Sequence, residues 1–348
     1  MKNHSIIIQK RCSRQEALSV IFVAKNPKRF MMEEGYAKGV MYMVKRARII
    51  YNPTSGRELF QKELPEVLKK LENAGYETST HATTAEGDAT EAARVAVERR
   101  FDMVIAAGGD GTINEVVHGI AEQEYRPKLG IIPVGTTNDF ARALRIPRDV
   151  QKAVEIILEE NIRPLDIGRV NGNYFVNIAG GGKLTELTYE VPSKLKTMLG
   201  QLAYYLKGIE MLPSLKPTKV KIEYDGKTFE DEIMLFLVSN TNSVGGFEKL
   251  APDAKMDDGY FDMLVLRKTN LADFVRIVSL ATKGAHLEDK NIFYTKANRI
   301  KVTSEEKLQL NIDGEYGGLL PGEFENLYRH IDFYVTKEFI EKQDRIPE

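Results

Sequence analysis

Residues 101–117 read Phe101-Asp102-Met103-Val104-Ile105-Ala106-Ala107-Gly108-Gly109-Asp110-Gly111-Thr112-Ile113-Asn114-Glu115-Val116-Val117. A short apolar run ends in three glycines around an acid, and apolar residues then resume at helical spacing. This pattern predicts a buried strand, a tight loop and a helix. The free N–H groups and positive dipole end of such a helix attract phosphate, and glycines let the phosphate come close. The stretch therefore indicates a nucleotide site, although its spacing matches neither G-x-G-x-x-G nor G-x-x-x-x-G-K-[ST].

The segments around this stretch alternate between strand and helix. Strands are predicted at 48–51, 78–83, 103–107 and 129–134, and helices at 64–71, 89–99 and 150–160. Alternation of this kind favours right-handed crossovers and a parallel sheet, and ligands of such sheets gather at the carboxyl ends of the strands. The loops at 52–56, 83–84, 108–112 and 135–142 are therefore expected at one edge of the sheet.

Two further loops at that edge carry glycine and hydroxyl groups. In Asn52-Pro53-Thr54-Ser55-Gly56, the Thr54 and Ser55 hydroxyls either donate to phosphate oxygens or cap the next helix. The loop that starts at Gly135 opens another helix, for which Asn138 or Asp139 is the expected N-cap. A second glycine loop before a helix strengthens the prediction of a phosphate site.

From Asp166 the periodicity changes to short alternating runs. Asn171-Gly172 and Asp225-Gly226 each predict a two-residue hairpin turn. Helices are expected only at 193–212 and 271–282, and the segment 298–313 returns to strands. We therefore expect an α/β nucleotide-binding domain with a parallel sheet, followed by a β-rich second domain.

The second half also contains two acidic clusters. The loop Ala251 to Tyr260 carries Asp253, Asp257 and Asp258, which either bind Mg²⁺ or Ca²⁺ or are simply solvated. In Asp313-Gly314-Glu315, two carboxylates flank a glycine. They form either an exposed hairpin tip or a base that accepts a proton from a hydroxyl.

Length and composition limit the class of protein. The 348 residues allow roughly two domains of about 100–150 residues each. Hydrophobic residues make up 43% and charged residues 28%, and no apolar run reaches the length that a bilayer-spanning helix needs. The single cysteine excludes an internal disulfide and favours the cytoplasm. A net charge of -1 gives no general attraction to nucleic acid, so no nucleic-acid partner is expected.

The first 42 residues do not resemble the rest. Basic residues precede an apolar run at 17–24, but no small-residue cleavage site follows, which disfavours a secretory signal. We interpret residues 1–42 as an extension that is either poorly packed or untranslated, and so not part of the native protein, because a strong strand begins abruptly at Arg46. The working chain would then begin near Met41 or Met43.

Five motifs together resemble the catalytic family of diacylglycerol kinases, which is related to sphingosine and ceramide kinases. They are Asn52 to Gly56, Gly108 to Glu115, Gly135 to Arg142, Pro252 to Gly259 and Asp313 to Glu315. The glycine motif alone is shared with NAD kinases, whereas the ordered set is specific. The resemblance covers the chain from about Met43 onward. It implies an α/β ATP-binding domain at 43–165, against which 331–348 packs, and a sandwich-like β domain for the lipid substrate at 166–330.

The resemblance also implies site residues. The ATP phosphates would be held by Asn52, Pro53, Thr54, Ser55, Gly56, Thr83, Gly109, Asp110, Gly111, Thr112, Ile113, Asn114, Glu115 and Thr136. Asp110 would also order a network of carboxylate, water and Mg²⁺. A structural Mg²⁺ would be bound by the Asp258 side chain and by the backbone carbonyls of Lys255 and Tyr260. The catalytic base would be Asp313, our preference, or Glu315.

The expected reaction is transfer of the ATP γ-phosphoryl to the free hydroxyl of diacylglycerol. A lipid substrate requires peripheral contact with the inner face of the membrane, for which the helix at 193–212 is a candidate, although a core-packed helix explains the same pattern. The resemblance also suggests a homodimer. The alternatives are a kinase of ceramide, a sphingoid base, undecaprenol or a soluble substrate of the NAD kinase type, and a lipid sensor without catalysis.

Overall fold

A computed structural model describes residues 44–183, 185, 216–242 and 250–346. By its contacts the chain divides into two units, residues 1–43 and Val44–Glu348. The predicted extension at 1–42 and the predicted helix at 193–212 lie outside the described residues. All described residues belong to the second unit.

The first half is an α/β layer built on a parallel sheet, as predicted. Strands β1 to β4 pair in the order β4-β3-β1-β2, all parallel. Every residue of β3 is buried, because helices cover both faces of the sheet. The elements are β1 (Lys45–Tyr51), α1 (Leu59–Asn73), β2 (Tyr76–Ala82), α2 (Asp88–Glu98), β3 (Met103–Gly108), α3 (Asp110–Ile120), β4 (Lys128–Pro133), α4 (Asp139–Ala143) and α5 (Val150–Leu158).

The second half is mainly antiparallel. Its elements are β5 (Ile162–Val170), β6 (Asn173–Phe175), β7 (Ile178–Gly181), β8 (Thr218–Tyr224), β9 (Lys227–Ser239), β10 (Phe261–Arg267), α6 (Leu271–Ala281), β11 (Ile292–Ala297), β12 (Arg299–Ser304), β13 (Gln309–Ile312), β14 (Glu315–Leu319), β15 (Gly322–Tyr334) and α7 (Lys337–Arg345). The predicted turns at Asn171-Gly172 and Asp225-Gly226 are confirmed. All four residues have positive φ, which gives the mirror-image turn that matches strand twist.

The two halves share strands. β15 pairs with β12 and β5 and also touches β4 in parallel, so the described strands form one continuous sheet. Along β5, Leu165 and Ile167 belong to the hydrophobic core of the α/β half, whereas Val170 belongs to the core of the β half. The boundary expected at 165/166 therefore lies inside a strand.

The end of the chain packs on the first half. Phe333 of β15 and Phe339 of α7 are fully buried in the α/β core. A third, smaller core lies under α6 and contains Phe274 and Ile277. Within the described ranges, no helix is long and apolar enough to cross a membrane.

Candidate active site

The carboxyl ends of the parallel strands surround a cleft of about 310 Å³. Backbone bonds hold the loops of this edge side by side: Asn52 N–H donates to the Ala107 carbonyl at 3.1 Å, and Thr83 N–H donates to the Tyr51 carbonyl at 2.9 Å. The cleft is lined by Asn52, Pro53, Thr54, Thr83, Thr84, Ala85, Glu86, Ala89, Thr112 and Glu115. The structure therefore brings together side chains from the first, second and third predicted loops.

The loop at 52–56 is fixed by its own residues. The Asn52 side-chain oxygen accepts from the Thr54 N–H at 2.9 Å and from the Thr54 hydroxyl at 2.8 Å. The Thr54 hydroxyl thus stabilises the turn and does not cap a helix. Gly56 has φ of 60°, and a β-carbon there would lie 2.3 Å from the Val134 carbonyl oxygen. Glycine is required because the loop meets the end of β4.

The two glycine loops form a single backbone surface. A β-carbon on Gly135 would lie only 2.4 Å from the Cα of Gly109. Asp110, the first residue of α3, accepts a hydrogen bond from the Phe140 N–H at 3.3 Å and so links the start of α3 to the start of α4. Thr136 is exposed on the second loop, and its carbonyl accepts from Arg148 at 2.8 Å.

Two of the residues expected at the phosphates direct their side chains elsewhere. Ile113 is fully buried in the core, and its N–H donates to the Gly109 carbonyl at 3.1 Å. The Asn114 amide contacts the carboxylate of Asp313 at 2.9 Å and the Tyr174 carbonyl at 3.1 Å. Helix α3 therefore lines the cleft with Thr112 and Glu115, while Asn114 points to the hairpin that carries Asp313 and Glu315.

Asp313 and Gly314 form the tight turn between β13 and β14, with φ of 49° and 96°. The Asp313 carboxylate accepts four hydrogen bonds of 2.8–2.9 Å, from the N–H groups of Val176, Asn177 and Ile178 and from Asn114. Burial raises the pKa of Asp313 to about 6, against the opposing effect of these donors. Asp313 is therefore not a solvated hairpin tip, and its oxygens are saturated with donors.

Glu315 lies beside the first glycine loop, at Gly111. A β-carbon on Gly111 would lie 3.1 Å from Glu315 Oε1. Burial raises the pKa of Glu315, and the nearby carboxylates of Glu86 and Glu115 raise it further. Glu115 is itself held by the Ala89 N–H at 3.0 Å, at the start of α2. Several carboxylates thus meet beside the glycine loop where the sequence predicts phosphate, and such an arrangement favours cations if phosphate binds there.

In the acidic loop at 251–260, the Asp258 carboxylate accepts from the Tyr260 N–H at 3.0 Å and pairs with Lys296 at 3.0 Å. Asp257 is buried and bonds to Arg163 at 2.7 Å. Asp166 is also buried; it accepts from the Gly259 N–H, and burial raises its pKa to about 7. The loop is therefore anchored rather than simply solvated.

The donors of this loop fit a divalent cation in kind. The Asp258 carboxylate and the carbonyls of Lys255 and Tyr260 are the hard oxygen ligands that Mg²⁺ prefers. The carbonyls of Met256, Asp257 and Gly259 already accept hydrogen bonds from the protein. A cation at Asp258 would have to compete with the Lys296 ammonium.

Sequence reasoning missed residues that complete these sites. Lys296 reaches Asp258 from β11, Arg163 reaches Asp257 from β5, and Gln343 of α7 accepts from the Met256 N–H at 3.1 Å. These residues are far from the loop in sequence, so no local motif marks them. Glu86, by contrast, closely follows the strand predicted at 78–83, so the sequence could have placed it among the residues that line the cleft.

Comparison with known proteins finds two domain models. Residues 46–170 match the diacylglycerol kinase catalytic domain, and residues 187–333 match the YegS C-terminal NAD kinase beta sandwich-like domain. The diacylglycerol kinase of Bacillus subtilis strain 168 is 68% identical over 302 residues, which are 86% of this chain and 100% of that protein. The diacylglycerol kinase of Staphylococcus aureus strain JH9 is 54% identical over 301 residues, which are 86% of this chain and 96% of that protein. A crystal structure of a diacylglycerol kinase from Bacillus anthracis str. Sterne is 29% identical with a TM-score of 0.68, covering 85% of this chain and 98% of that one.

Proposed function

The chain belongs to the diacylglycerol kinase family, and from this premise we propose that it transfers the γ-phosphoryl group of ATP to the free hydroxyl of diacylglycerol, giving phosphatidic acid. It is an enzyme, a kinase. The observation that carries the assignment of roles is the approach of Glu315 to Gly111, with 3.1 Å between the Glu315 Oε1 and a β-carbon on Gly111. This approach places a carboxylate beside the loop proposed to hold the transferred phosphate.

In the proposed mechanism the phosphates lie along the N–H groups at the start of α3 and beside the turn at 52–56, whose Asn52 and Thr54 N–H groups are already bonded within the protein. Backbone donors of this kind stabilise the charge that spreads over the transferred phosphoryl oxygens. Asp110 keeps the two loops in register through the Phe140 N–H. Thr83, Thr112 and Glu115 complete the wall of the cleft.

We assign proton removal to Glu315. It lies beside Gly111, at the loop proposed to hold the phosphates, and burial raises its pKa, which favours a proton acceptor. The lipid oxygen forms the new bond to phosphorus, the bond to the ADP oxygen breaks, and the hydroxyl proton passes to Glu315. The four donors on Asp313 support a positioning role for that residue, which differs from the preference drawn from the motif.

We assign a structural Mg²⁺ to the Asp258 side chain and the carbonyls of Lys255 and Tyr260. When bound, Mg²⁺ would supply positive charge that neutralises the Asp258 carboxylate and holds the loop oxygens together. The chain's own contribution is to hold the loop through Asp166, which accepts from the Gly259 N–H, while the Lys296 ammonium would have to leave Asp258 for a cation to bind.

The lipid substrate also requires transient peripheral contact with the inner face of the membrane from the cytoplasm. We propose the segment 193–212 for this contact and a homodimer for the assembly; the segment lies outside the described residues. We also propose that residues 43–165 form the ATP-binding domain, that 331–348 pack on it, and that 166–330 form the domain for the lipid substrate.

The experiment is incubation with labelled ATP and Mg²⁺ against diacylglycerol, ceramide, undecaprenol and NAD. We expect label in phosphatidic acid. Label in one of the other acceptors would replace the substrate, and no transfer to any acceptor would contradict the kinase proposal. Glu315→Gln serves as the matched negative control, because it keeps the size of the side chain and removes its basicity.

A further inference from the structure

Strand β6 has one backbone edge that faces helix α3 and not another described strand. Among the described strands, β6 pairs only with β5. At Tyr174 the other edge is satisfied by two side chains of α3. The Tyr174 carbonyl accepts from the Asn114 amide at 3.1 Å, and the Tyr174 N–H contacts His118 Nε2 at 3.1 Å. The helix thus replaces a neighbouring strand.

These contacts fix the protonation state of His118. Its Nδ1 lies 3.0 Å from the Asn114 carbonyl oxygen, which can only accept, so Nδ1 carries the proton. The Tyr174 N–H can only donate, so Nε2 must be an unprotonated acceptor. A doubly protonated ring would bring two N–H groups together. The geometry therefore requires the neutral imidazole.

The groups around His118 are compatible with the neutral form. Burial lowers its pKa, and Arg94 of α2 acts in the same direction. Glu115 of α3 and the Asn114 carbonyl raise the pKa. On β6 the Tyr174 ring packs edge-on at 5.2 Å, and its hydroxyl is bonded to Glu122.

Strand β6 leads directly to the cradle of Asp313. The next residues, Val176 to Ile178, donate the three N–H groups that hold the Asp313 carboxylate. Asn114 contacts both Tyr174 and Asp313, so α3 and the hairpin share one set of bonds. Because α3 begins at Asp110, a shift of β6 along this helix changes the distance between the hairpin and the phosphate loop.

We propose that His118 is a positioning residue for phosphoryl transfer: as a neutral imidazole it locks β6 onto α3 and thereby holds the Asp313–Glu315 hairpin at the phosphate loop. This inference rests on the proposed function of that hairpin. It predicts a role for His118 without contact to ATP or lipid.

The test compares His118→Leu, His118→Gln and the control His330→Leu in steady-state kinetics with ATP and diacylglycerol. His118→Leu leaves the part-buried Tyr174 N–H without its acceptor, which lowers kcat by about 5- to 150-fold while KM for ATP changes less than about twofold. Gln restores an acceptor oxygen, so His118→Gln recovers a large part of kcat. His330 also accepts a hydrogen bond from a backbone N–H, that of Glu122 at 2.8 Å, just beyond the far end of α3. We expect His330→Leu to keep kcat near the wild-type value.

The pH dependence of kcat distinguishes a positioning role of His118 from a role in stability alone. We expect kcat of the wild type to fall at acidic pH as His118 gains a proton, and we expect His118→Gln to lack this component. The proposal is overturned if His118→Leu keeps wild-type kcat, if His118→Gln shows neither recovery nor a changed profile, or if His330→Leu loses as much. If the wild type phosphorylates another acceptor, the proposed substrate fails and the variants are compared on that acceptor.

Discussion

At the scale of single residues, two carboxylates that are neighbours in the hairpin have opposite environments. Asp313 is held by four donors, the Asn114 amide and the N–H groups of Val176, Asn177 and Ile178. Glu315 lies at Gly111, and burial together with the neighbouring carboxylates of Glu86 and Glu115 raises its pKa. Burial raises the pKa of both carboxylates, so the pKa does not separate them. The difference is that four hydrogen-bond donors already occupy the oxygens of Asp313, whereas Glu315 lies beside Gly111.

We therefore expect Glu315→Gln to lower kcat by about 10²- to 10⁴-fold with little change in stability. Asp313→Ala leaves four donors without an acceptor, so it lowers both kcat and the melting temperature. Kinetics and thermal unfolding of both variants check this. An active Glu315→Gln enzyme beside a stable, inactive Asp313→Ala enzyme would return the base to Asp313.

Asp166 gives a pH-dependence prediction. It is fully buried, and its folded pKa of about 7 lies above the unfolded value near 3.8. The folded state therefore binds the proton more tightly, and the stability that this proton contributes is present below about pH 4 and lost as pH rises through about 7.

We expect Asp166→Asn to gain stability relative to the wild type between pH 4.5 and 7.5, by about 3 kcal/mol. Denaturant unfolding of both proteins at the two pH values, in the presence of a chelator, measures this change. Parallel pH dependence of the two proteins would show that Asp166 does not titrate in this range.

At the scale of elements, helix α7 clamps the acidic loop. Gln343 is almost fully buried and accepts from the Met256 N–H at 3.1 Å. Arg163 bridges Asp257 and Asp344, at 2.7 and 3.0 Å. The helix at the end of the chain thus fixes a loop proposed to bind Mg²⁺.

We expect Gln343→Leu to reduce the rise in melting temperature that Mg²⁺ produces, because the unbonded loop no longer holds its oxygens in place. Asp258→Ala should abolish that rise. Glu341→Gln, which alters only an exposed ion pair on the same helix, should leave it unchanged. A normal Mg²⁺ response in Gln343→Leu would remove α7 from the metal site.

At the scale of the whole molecule, the two halves are joined by β5 and β15. Along β15, Phe324 lies in the core of the β half, whereas Ile331 and Phe333 lie in the α/β core. Phe333 also packs edge-on against Phe140 of α4 at 5.3 Å. A rigid strand shared by two cores couples their unfolding.

We expect Phe333→Ala to lower the free energy of unfolding by about 3–5 kcal/mol. Hydrogen exchange followed by mass spectrometry should show faster exchange both in α1 to α5 and in β8 and β9. Faster exchange confined to the α/β half would show that the halves unfold separately.

Much of the fold was predictable because its signals are local. Apolar runs between glycine loops indicated the parallel strands, and Asn-Gly and Asp-Gly pairs marked turns whose positive φ few other residues adopt. The five motifs in order indicated the family and its reaction. Each of these inferences uses residues close together in the chain, whose steric and hydrogen-bonding preferences act before tertiary contacts form.

Only the tertiary structure decided how those parts act together. Sequence spacing could not distinguish Asp313 from Glu315, because their difference comes from donors at 114 and 176–178, far away along the chain. It also gave no sign that Lys296 and Gln343 complete the acidic loop, or that the expected domain boundary lies within a shared strand. Burial and pairing set the charge and orientation of a side chain, and both depend on which distant segments the sheet brings together.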